Sequence, residues 1–309
     1  MNLNTEKLSP IVIFAYNRLD LIENTIEALK KCDLAADSDL IIYSDGVKNE
    51  NDISKINAVR SFISTISGFK KISWNFSTKN KGLAKSIIEG VTEVLSHYNS
   101  VIVLEDDLAP TKNFLQYTNQ ALIQYENIPE VMSIAGYTPT IKPPSNYNYD
   151  NYFTQRASSW GWATWKNKWE NIDWEISDYE SFISNKKERK KFNQMGSDMV
   201  SLLKKQQKGT INSWAIRWCY HQFKNNLYTV TPVSSKVKNI GFTDEATHTK
   251  GAKNRFKTNI DKGNKTKFKF LLTPVLDPIF IKQFTAINSI KERTLNKINV
   301  TLKTLINKI

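Results

Sequence analysis

The sequence has few of the residues that stabilise small secreted proteins or bind metals through sulfur. Only two of its 309 residues are cysteine, Cys32 and Cys219, and they give neither a disulfide framework nor metal-ligand spacing. No apolar run reaches the roughly 18 residues that a membrane-spanning helix needs. The polar stretch from Met1 to Pro10 lacks the apolar segment of a signal peptide. These absences predict a reducing, cytoplasmic setting.

Positive charge is abundant but unevenly distributed. Of the net charge of +13, residues 250–309 carry +11, so the first 249 residues are nearly neutral. A nearly neutral body does not favour a groove for nucleic acid, and we expect no nucleic-acid partner. The basic tail favours contact with an anionic surface such as the inner face of a cell membrane. We therefore predict a body at residues 1–249 and a separate basic extension at residues 250–309.

Strands and helices are predicted to alternate in the first part of the body. The predicted strands are 11–14, 40–43, 72–76, 101–104 and 131–135, and the predicted helices are 24–31, 53–66, 82–95 and 114–125. This alternation predicts an α/β fold with a mostly parallel, doubly wound sheet flanked by helices. We assign residues 1–135 to a nucleotide-binding half and residues 136–249 to an acceptor half that contains a Trp-rich stretch.

The most informative run is the one that ends in three consecutive acids. Four apolar residues, Val101 to Leu104, predict a buried strand, and Glu105, Asp106 and Asp107 follow it directly. Open α/β sheets bind ligands at this end of a strand. Three adjacent carboxylates repel one another unless a cation neutralises them, and hard oxygen ligands suit Mg²⁺ or Mn²⁺. The run predicts a metal–diphosphate site, and the alternative is a solvated acidic turn.

Two further motifs end the first and second predicted strands. Ala15, Tyr16, Asn17 and Arg18 follow the first strand; Tyr16 could line a base, and Arg18 could pair with a phosphate. Asp45 and Gly46 follow the second strand, where the carboxylate could accept a hydrogen bond from a base or a ribose. The alternatives are an ordinary capped turn and a common Asp-Gly turn.

A fourth motif opens the helix after the third predicted strand. Gly82 lets the backbone approach a ligand, and Lys85 on the first turn could reach a phosphate at the helix start. The alternative is a solvated lysine on a helix face. Because the carboxyl ends of parallel strands share one edge of a sheet, we expect all four motifs to lie close together.

Together these motifs resemble the nucleotide-sugar glycosyltransferases of the Rossmann-like GT-A fold. The chain is similar to the animal N-acetylglucosaminyltransferase I group and to bacterial capsular and surface-polysaccharide transferases, over roughly residues 10–250. In such proteins a Glu-Asp-Asp or Asp-x-Asp motif follows a buried strand. The resemblance implies that Asp107 binds Mn²⁺, that Asp106 faces the ribose or the donor sugar, and that Glu105 supports both. It also assigns Asp45 to the uridine and Tyr16, Asn17 and Arg18 to the nucleotide pocket.

Later motifs also resemble the bacterial members of this group. They are 158–165, with three tryptophans, 213–218, 239–242 and 246–249. Trp160, Gly161, Trp162 and Trp214 are the candidates for the donor-sugar or acceptor side, and the alternative is that the tryptophans are core residues. His248 could complete the metal site or touch the diphosphate, and the alternative is a structural histidine.

One feature of the inverting relatives has no counterpart here. Those enzymes place an aspartate near a Trp-x-x-x-Trp segment, where it takes the proton from the attacking acceptor hydroxyl. Here the residues before and after Trp214 supply no carboxylate, and the nearby acids are Asp198, Asp244 and Glu245. Asp244 is the favoured base because its loop follows the Trp214 motif and could fold over the site. A retaining mechanism would not need this residue.

The sequence thus predicts a metal-dependent glycosyltransferase. It would move a hexosyl or N-acetylhexosaminyl group from a nucleoside diphosphate donor, expected to be a UDP-sugar, to a hydroxyl of a glycan or lipid-linked glycan in surface polysaccharide synthesis. A sugar-nucleotide nucleotidyltransferase is one alternative, although the turn after the first strand contains no glycine. A non-catalytic protein that binds nucleotide sugars is another, and oligomerisation is left open.

The end of the basic extension has a helical apolar pattern. Its stripe consists of Leu295, Ile298, Leu302, Leu305 and Ile309. An amphipathic helix lying on a membrane surface fits this pattern. A short coiled coil or a helix packed on the body fits nearly as well. The extension is therefore expected to be helical, basic and partly amphipathic.

Overall fold

The computed structural model describes residues 8–241, 256 and 258–295. Its strands are β1 (Ile11–Ala15), β2 (Asp39–Ser44), β3 (Lys71–Phe76), β4 (Ser100–Glu105), β5 (Leu108–Pro110), β6 (Val131–Ala135), β7 (Asn151–Thr154), β8 (Trp162–Trp165), β9 (Tyr228–Pro232) and β10 (Val237–Asn239). Its α-helices are α1 (Leu19–Lys30), α2 (Ile53–Ile63), α3 (Leu83–His97), α4 (Phe114–Tyr125), α5 (Lys166–Trp169), α6 (Tyr179–Ser184), α7 (Lys186–Phe192), α8 (Met199–Gln207), α9 (Trp214–Lys224) and α10 (Pro278–Ala286).

An eight-stranded sheet forms the centre of the molecule, in the order β3-β2-β1-β4-β8-β6-β9-β7. The first four strands in this order are parallel to one another. β8 and β7 are antiparallel to their neighbours, whereas β6 and β9 pair in parallel. Six of the eight strands therefore run in the same direction, which confirms the predicted α/β fold with a mostly parallel sheet.

Helices cover both faces of the parallel half. Successive residues of β1 point to opposite faces, since side chains alternate along a strand. Ile11 and Ile13 pack in one buried cluster with residues of α1, α2 and α4. Val12 and Phe14 pack in a second cluster with residues of α3. Burial on both faces explains why β1 and β4 are almost continuously apolar in sequence.

The predicted elements match the structure best in residues 1–135. α4 and β6 have the predicted bounds, whereas α1 begins at Leu19, five residues earlier than expected. In the other half, the Trp-rich stretch supplies β8 and α5, and the charged region that follows divides into the three short helices α6, α7 and α8. A separate two-stranded sheet pairs β10 antiparallel with β5, immediately after the three acids.

The described part of the basic extension packs on the body. Phe270, Phe280 and Phe284 are buried, and Lys236 forms an ion pair of 2.6 Å with Asp261. The chain is irregular from residue 258 to residue 277, forms α10, and is helical again from residue 290 to residue 295. The extension is thus helical only in part, and the boundary at residue 249 stays a prediction.

Several predicted features lie outside the described residues. They are Asp244, Glu245, His248 and the apolar stripe beyond Leu295. Within the described ranges, no helix is both long enough and apolar enough to cross a membrane.

Candidate functional site

The parallel strands bring the four strand-end motifs to one edge of the sheet. Ala15, the last residue of β1, is level with Ser44 at the end of β2. Phe14 is level with Glu105 at the end of β4, and Ser44 is level with Phe76 at the end of β3. The loops after these strands therefore share the edge at which open α/β sheets bind ligands.

Arg18 is the cation that contacts the acidic motif. Its Nη2 donates hydrogen bonds to Asp106 Oδ1 and, at 3.2 Å, to Asp107 Oδ2. Asp106 is 3% exposed, and it also accepts a hydrogen bond of 3.4 Å from the backbone N–H of Tyr16. The hydroxyl of Thr25 donates to the Asp106 carbonyl at 2.8 Å. Asp106 is therefore held from several sides, whereas the Asp107 side chain keeps more exposed surface.

One guanidinium does not balance three carboxylates. Burial, together with the charges of Asp107 and Asp106, raises the pKa of Glu105 to about 8. Burial also raises the pKa of Asp106 to about 6, although the charge of Arg18 opposes this shift. Among the described residues, no other Lys or Arg forms an ion pair with these acids. The motif thus carries an excess of negative charge that a further cation would relieve.

The donor atoms of this motif fit a divalent cation. Carboxylate oxygens are the hard ligands that Mg²⁺ and Mn²⁺ prefer. Asp107 is the acid best placed to bind one, because Asp106 is buried against Arg18. In the part of the chain that the structure describes, no group of three or more His, Cys, Asp or Glu residues is arranged to hold a metal ion. Further ligands would have to come from substrate, water or residues outside that part.

The last residue of β10 and the residues after it pack directly on Asp107. The backbone N–H of Ile240 donates to the Asp107 carbonyl at 2.8 Å, and Asn239 Nδ2 lies 3.5 Å from Asp107 Oδ1. A Cβ at Gly241 would overlap the Asp107 side chain, so the close approach requires glycine. The segment that contains Asp244 and His248 thus follows a residue in contact with Asp107. Sequence reasoning gave Asn239 and Gly241 no role at the acids.

Asp52 is a third residue that sequence reasoning missed. Its carboxylate accepts hydrogen bonds from the Tyr16 hydroxyl at 2.9 Å and from Asn17 Nδ2 at 2.8 Å. The backbone N–H of Lys48 donates to the Tyr16 hydroxyl at 3.2 Å. Burial and the hydrogen bond to Asp52 raise the pKa of Tyr16 to about 12. The loop after β2 thereby fixes the two side chains that the sequence assigns to the nucleotide pocket.

The carboxylate of Asp45 accepts hydrogen bonds from the loop that precedes α3. Its Oδ1 accepts from the backbone N–H groups of Gly46 and Lys81, both at 2.8 Å. Its Oδ2 accepts from the N–H of Gly82 at 2.8 Å and from Asn80 Nδ2 at 3.1 Å. Four hydrogen bonds use the roughly four lone-pair sites of a carboxylate. In this conformation Asp45 positions Gly82 and leaves no acceptor site for a uridine.

Gly82 and Lys85 lie beside open space. Gly82 has φ +75°, a backbone conformation that favours glycine, and no heavy atom would contact a Cβ there. The Lys85 side chain is exposed, with Nζ 3.6 Å from Glu89 Oε1. Lys81 pairs with the other oxygen of Glu89 at 2.8 Å. The exposed Lys85 is thus free to turn towards a phosphate bound at the helix start.

The four residues predicted for the sugar side differ in exposure. Trp162 and Trp214 are only 1% and 3% exposed and pack in a cluster of indoles with Trp169 and Trp218. Neither indole has a face accessible to a ligand in this conformation, which agrees with the alternative that these two tryptophans are core residues. Trp160 is half-buried and meets Tyr137 edge-on, with ring centroids 4.4 Å apart.

Gly161 and Asp198 also have structural surroundings. Gly161 has φ +57°, and a Cβ there would lie 2.7 Å from Val237 Cγ1, so glycine allows β10 to pack beside β8. Asp198, one of the acids considered as a base, forms a two-pronged ion pair with Arg156, at 2.8 Å and 3.0 Å. That pairing favours a structural role for Asp198.

Comparisons with known proteins find distantly similar solved structures. No family model matches the chain, and no curated protein matches it. One similar solved structure is the mannosyltransferase PcManGT from Pyrobaculum calidifontis in complex with GDP-Man and Mn²⁺, at 14% identity and TM-score 0.36, over 55% of this chain and 48% of that one. Another is S. aureus TarS, at 12% identity and TM-score 0.35, over 54% of this chain and 30% of that one.

A third similar structure is a cytidylyltransferase from Leptospira borgpetersenii serovar Hardjo-bovis. It has 11% identity and TM-score 0.33, over 54% of this chain and 63% of that one. The chain spans about half the length of the mannosyltransferase and less of TarS. In these three structures the identities are 11–14% and the TM-scores 0.33–0.36, so they carry no argument about function.

Proposed function

We propose that the protein is a metal-dependent glycosyltransferase of the GT-A type. It transfers a sugar, hexosyl or N-acetylhexosaminyl, from a nucleoside diphosphate donor to a hydroxyl of a glycan or lipid-linked glycan. The observation that carries this proposal is the cluster of Glu105, Asp106 and Asp107 at the ligand-binding edge of four parallel strands, with Arg18 as its one cation among the described residues. Such an excess of charge suits a bound cation and, through it, a diphosphate.

The residues around the acids have complementary roles in this proposal. Asp107 binds Mg²⁺ or Mn²⁺, which when bound supplies Lewis-acid stabilisation to the leaving diphosphate. Arg18 holds Asp106 and Asp107 in place and adds positive charge beside the phosphates. Tyr16 and Asn17, fixed by Asp52, line the base of the nucleotide.

The start of α3 completes the nucleotide side. Gly82 leaves room for the donor because its Cα faces open space. Lys85 is exposed at the first turn and can reach an anion there. Asp45 acts through its hydrogen bonds to this loop, so it is a positioning residue rather than a direct contact of the base.

Fewer described residues support the proposed acceptor side of the site. Trp160 is the one predicted tryptophan with accessible surface, and an indole face can stack on the C–H groups of a sugar. Asp244 as base and His248 as a metal or diphosphate ligand stay proposals, since both lie outside the described residues. An amphipathic helix beyond Leu295 would bring the enzyme to an anionic membrane that carries a lipid-linked acceptor.

The decisive test is Asp107→Asn in a donor-hydrolysis screen over UDP-, GDP- and dTDP-sugars, with Mn²⁺ and with chelator. We expect metal-dependent hydrolysis to fall by about 100-fold or more, since the variant loses the charge that holds the ion. Asp37→Asn, an exposed acid in the turn before β2, is the matched control. Thermal unfolding verifies that both variants fold. Full activity of Asp107→Asn would contradict the assignment.

A non-catalytic nucleotide-sugar-binding protein is a second candidate. It is favoured by one observation, that Asp198 is paired with Arg156 and no other described acid is assigned as the base. Calorimetry with UDP and Mn²⁺ separates the two candidates. Binding without turnover across all donors and acceptors would support the binding protein, whereas hydrolysis of any donor would exclude it.

A further inference from the structure

Exposed apolar side chains are concentrated in the C-terminal segment. Among the described residues, twelve large hydrophobic residues are exposed, and half of them lie between residues 260 and 295. They are Ile260, Leu272, Val275, Ile279, Ile290 and Leu295. Leu272, Val275 and Ile279 expose 55%, 51% and 52% of their surface, although they lie within eight residues of chain. Concentrated exposed apolar surface marks a site of interaction with a partner or a membrane.

The three exposed apolar residues belong to a segment that is held in place by its neighbours. Leu272, Val275 and Ile279 lie between two buried aromatic residues, Phe270 and Phe280. The carboxylate of Asp277 caps α10 by accepting a hydrogen bond of 2.8 Å from the N–H of Ile279. The segment is therefore anchored on both sides, and its three apolar side chains are held outwards.

The loop before β7 lies beside this segment. Gln283 on α10 exchanges two hydrogen bonds with the backbone of Lys142, at 2.8 Å and 2.9 Å. Lys269 Nζ lies 5.1 Å from the ring centroid of Tyr149, which is 36% exposed. Lysine and tyrosine thus accompany the apolar residues, as at the boundary between water and lipid.

The positive charge of residues 258–295 indicates which kind of partner fits the exposed apolar residues. Lys142, Lys267, Lys269 and Lys282 are exposed, and no described carboxylate lies within ion-pair distance of them. Residues 258–295 contain seven Lys or Arg and three Asp or Glu, a net charge of +4. A second copy of the same surface would meet it with like charge, which disfavours self-association. An anionic bilayer offers both negative headgroups and an apolar layer.

We propose that Leu272, Val275 and Ile279, with Lys142, Lys267, Lys269 and Lys282, form a surface that docks the protein on an anionic lipid bilayer. We name it the apolar–basic surface. It goes beyond the proposed activity because docking needs no turnover. It consists of residues other than those of the predicted apolar stripe. Because these residues are fixed to the folded body, they would set how that body is oriented on the membrane.

Co-sedimentation of the full chain with lipid vesicles tests this surface. The vesicles contain phosphatidylglycerol and phosphatidylcholine in one series and phosphatidylcholine alone in the other. We expect stronger binding to the anionic series, weakened by salt. Val275→Ser with Ile279→Ser should lower the partition about tenfold or more, since two inserted apolar side chains are lost. Ile53→Ser with Ile123→Ser, at similarly exposed apolar residues elsewhere, is the matched control and should not change it.

A second variant changes exposed lysines instead of apolar residues, so it tests the surface even if the first variant fails to fold. Lys267→Glu with Lys282→Glu should weaken the preference for anionic vesicles about tenfold or more, without changing the apolar side chains. Circular dichroism and thermal unfolding check that each variant is folded.

Three outcomes would overturn the proposal. They are no binding of the unmodified chain, equal partition of the Val275/Ile279 variant and its control, and a dimer in light scattering that this variant dissociates. Donor hydrolysis is measured on the same samples without vesicles. Vesicle binding without hydrolysis would contradict the glycosyltransferase alone, and hydrolysis without binding would contradict the surface alone.

Discussion

Two clusters of arginine and aspartate lie mostly buried in this molecule, and they differ in charge balance. Arg156 and Asp198 form a pair of one cation and one anion with two hydrogen bonds, at 2.8 Å and 3.0 Å. Arg18 faces three acids and donates from a single nitrogen to two of them. The first pair resembles the ion pairs that hold a core together. The second is left with excess negative charge.

This difference separates a structural role from a functional one. A buried pair of one cation and one anion leaves no net charge to neutralise, so it requires no bound ion. An unbalanced cluster is destabilising until a cation binds, and natural proteins keep such destabilisation where function needs it. The comparison therefore favours a structural role for Arg156 and Asp198, and it supports the proposal that the three acids at the end of β4 bind a cation.

The largest expected effect is on the balanced pair. Asp198→Ala leaves the Arg156 guanidinium without its carboxylate in a site where the side chain is mostly buried. Breaking a buried ion pair by removing one partner costs about 3–5 kcal/mol of unfolding free energy. Urea denaturation measures this loss. A change as small as that of an exposed pair, about 0.5 kcal/mol, would remove the distinction between the two clusters.

The next effect concerns the close contact at the unbalanced cluster. Gly241→Ala places a Cβ where the Asp107 side chain lies, so either the segment after β10 or Asp107 has to move. Overpacking of this kind costs about 1–3 kcal/mol. We also expect donor hydrolysis to fall about tenfold, since small displacements of reacting groups are costly. Unfolding curves and hydrolysis rates are measured together. Unchanged hydrolysis would show that this contact does not position Asp107.

The smallest effect is a change in pH dependence. The pKa of Glu105 is raised from 4.5 to about 8 in the folded protein, so between these values the folded state binds more protons than the unfolded state. The unfolding free energy therefore falls as pH rises through this window. Above pH 6, where the raised pKa of Asp106 contributes little, Glu105→Gln should remove most of that slope and, near pH 8, stabilise the metal-free protein by about 1 kcal/mol or more.

Denaturant curves in chelator across this pH range test the Glu105 prediction. Glu93→Gln, an acid on α3 outside the cluster, serves as the control. If the slope between pH 6 and pH 8 persists in Glu105→Gln, Glu105 is not its source, and the charge imbalance that distinguishes this cluster from the Arg156–Asp198 pair loses its support.

Local sequence patterns predicted the parallel half of the fold well. Strands buried on both faces have apolar runs with abrupt polar ends, and parallel pairing necessarily collects those ends at one edge. The bounds of α4 and β6 followed from the same periodicity. The acidic motif could be recognised because three adjacent carboxylates are conspicuous next to a buried strand.

The contacts within the site could not be predicted because they join distant residues. Asp52 reaches Asn17 across 35 residues of sequence, and nothing in the residues around Asp52 indicates that partner. Trp160 and Trp162 have the same side chain and lie two residues apart, yet one is half-buried and the other is in the core. Which of them meets solvent depends on where β8 begins and on α9, which tertiary packing decides.

β10 pairs with β5 next to the acids, although the ribosome makes these two strands far apart in time. Asp107 and its neighbour Asn239 are separated by 132 residues, so the acids leave the ribosome long before the strand that packs beside them. At ordinary translation rates this interval is on the order of ten seconds. The nascent chain therefore carries an acidic loop that is still open on one side. The loop acquires its final shape only after the second half of the sheet has been made.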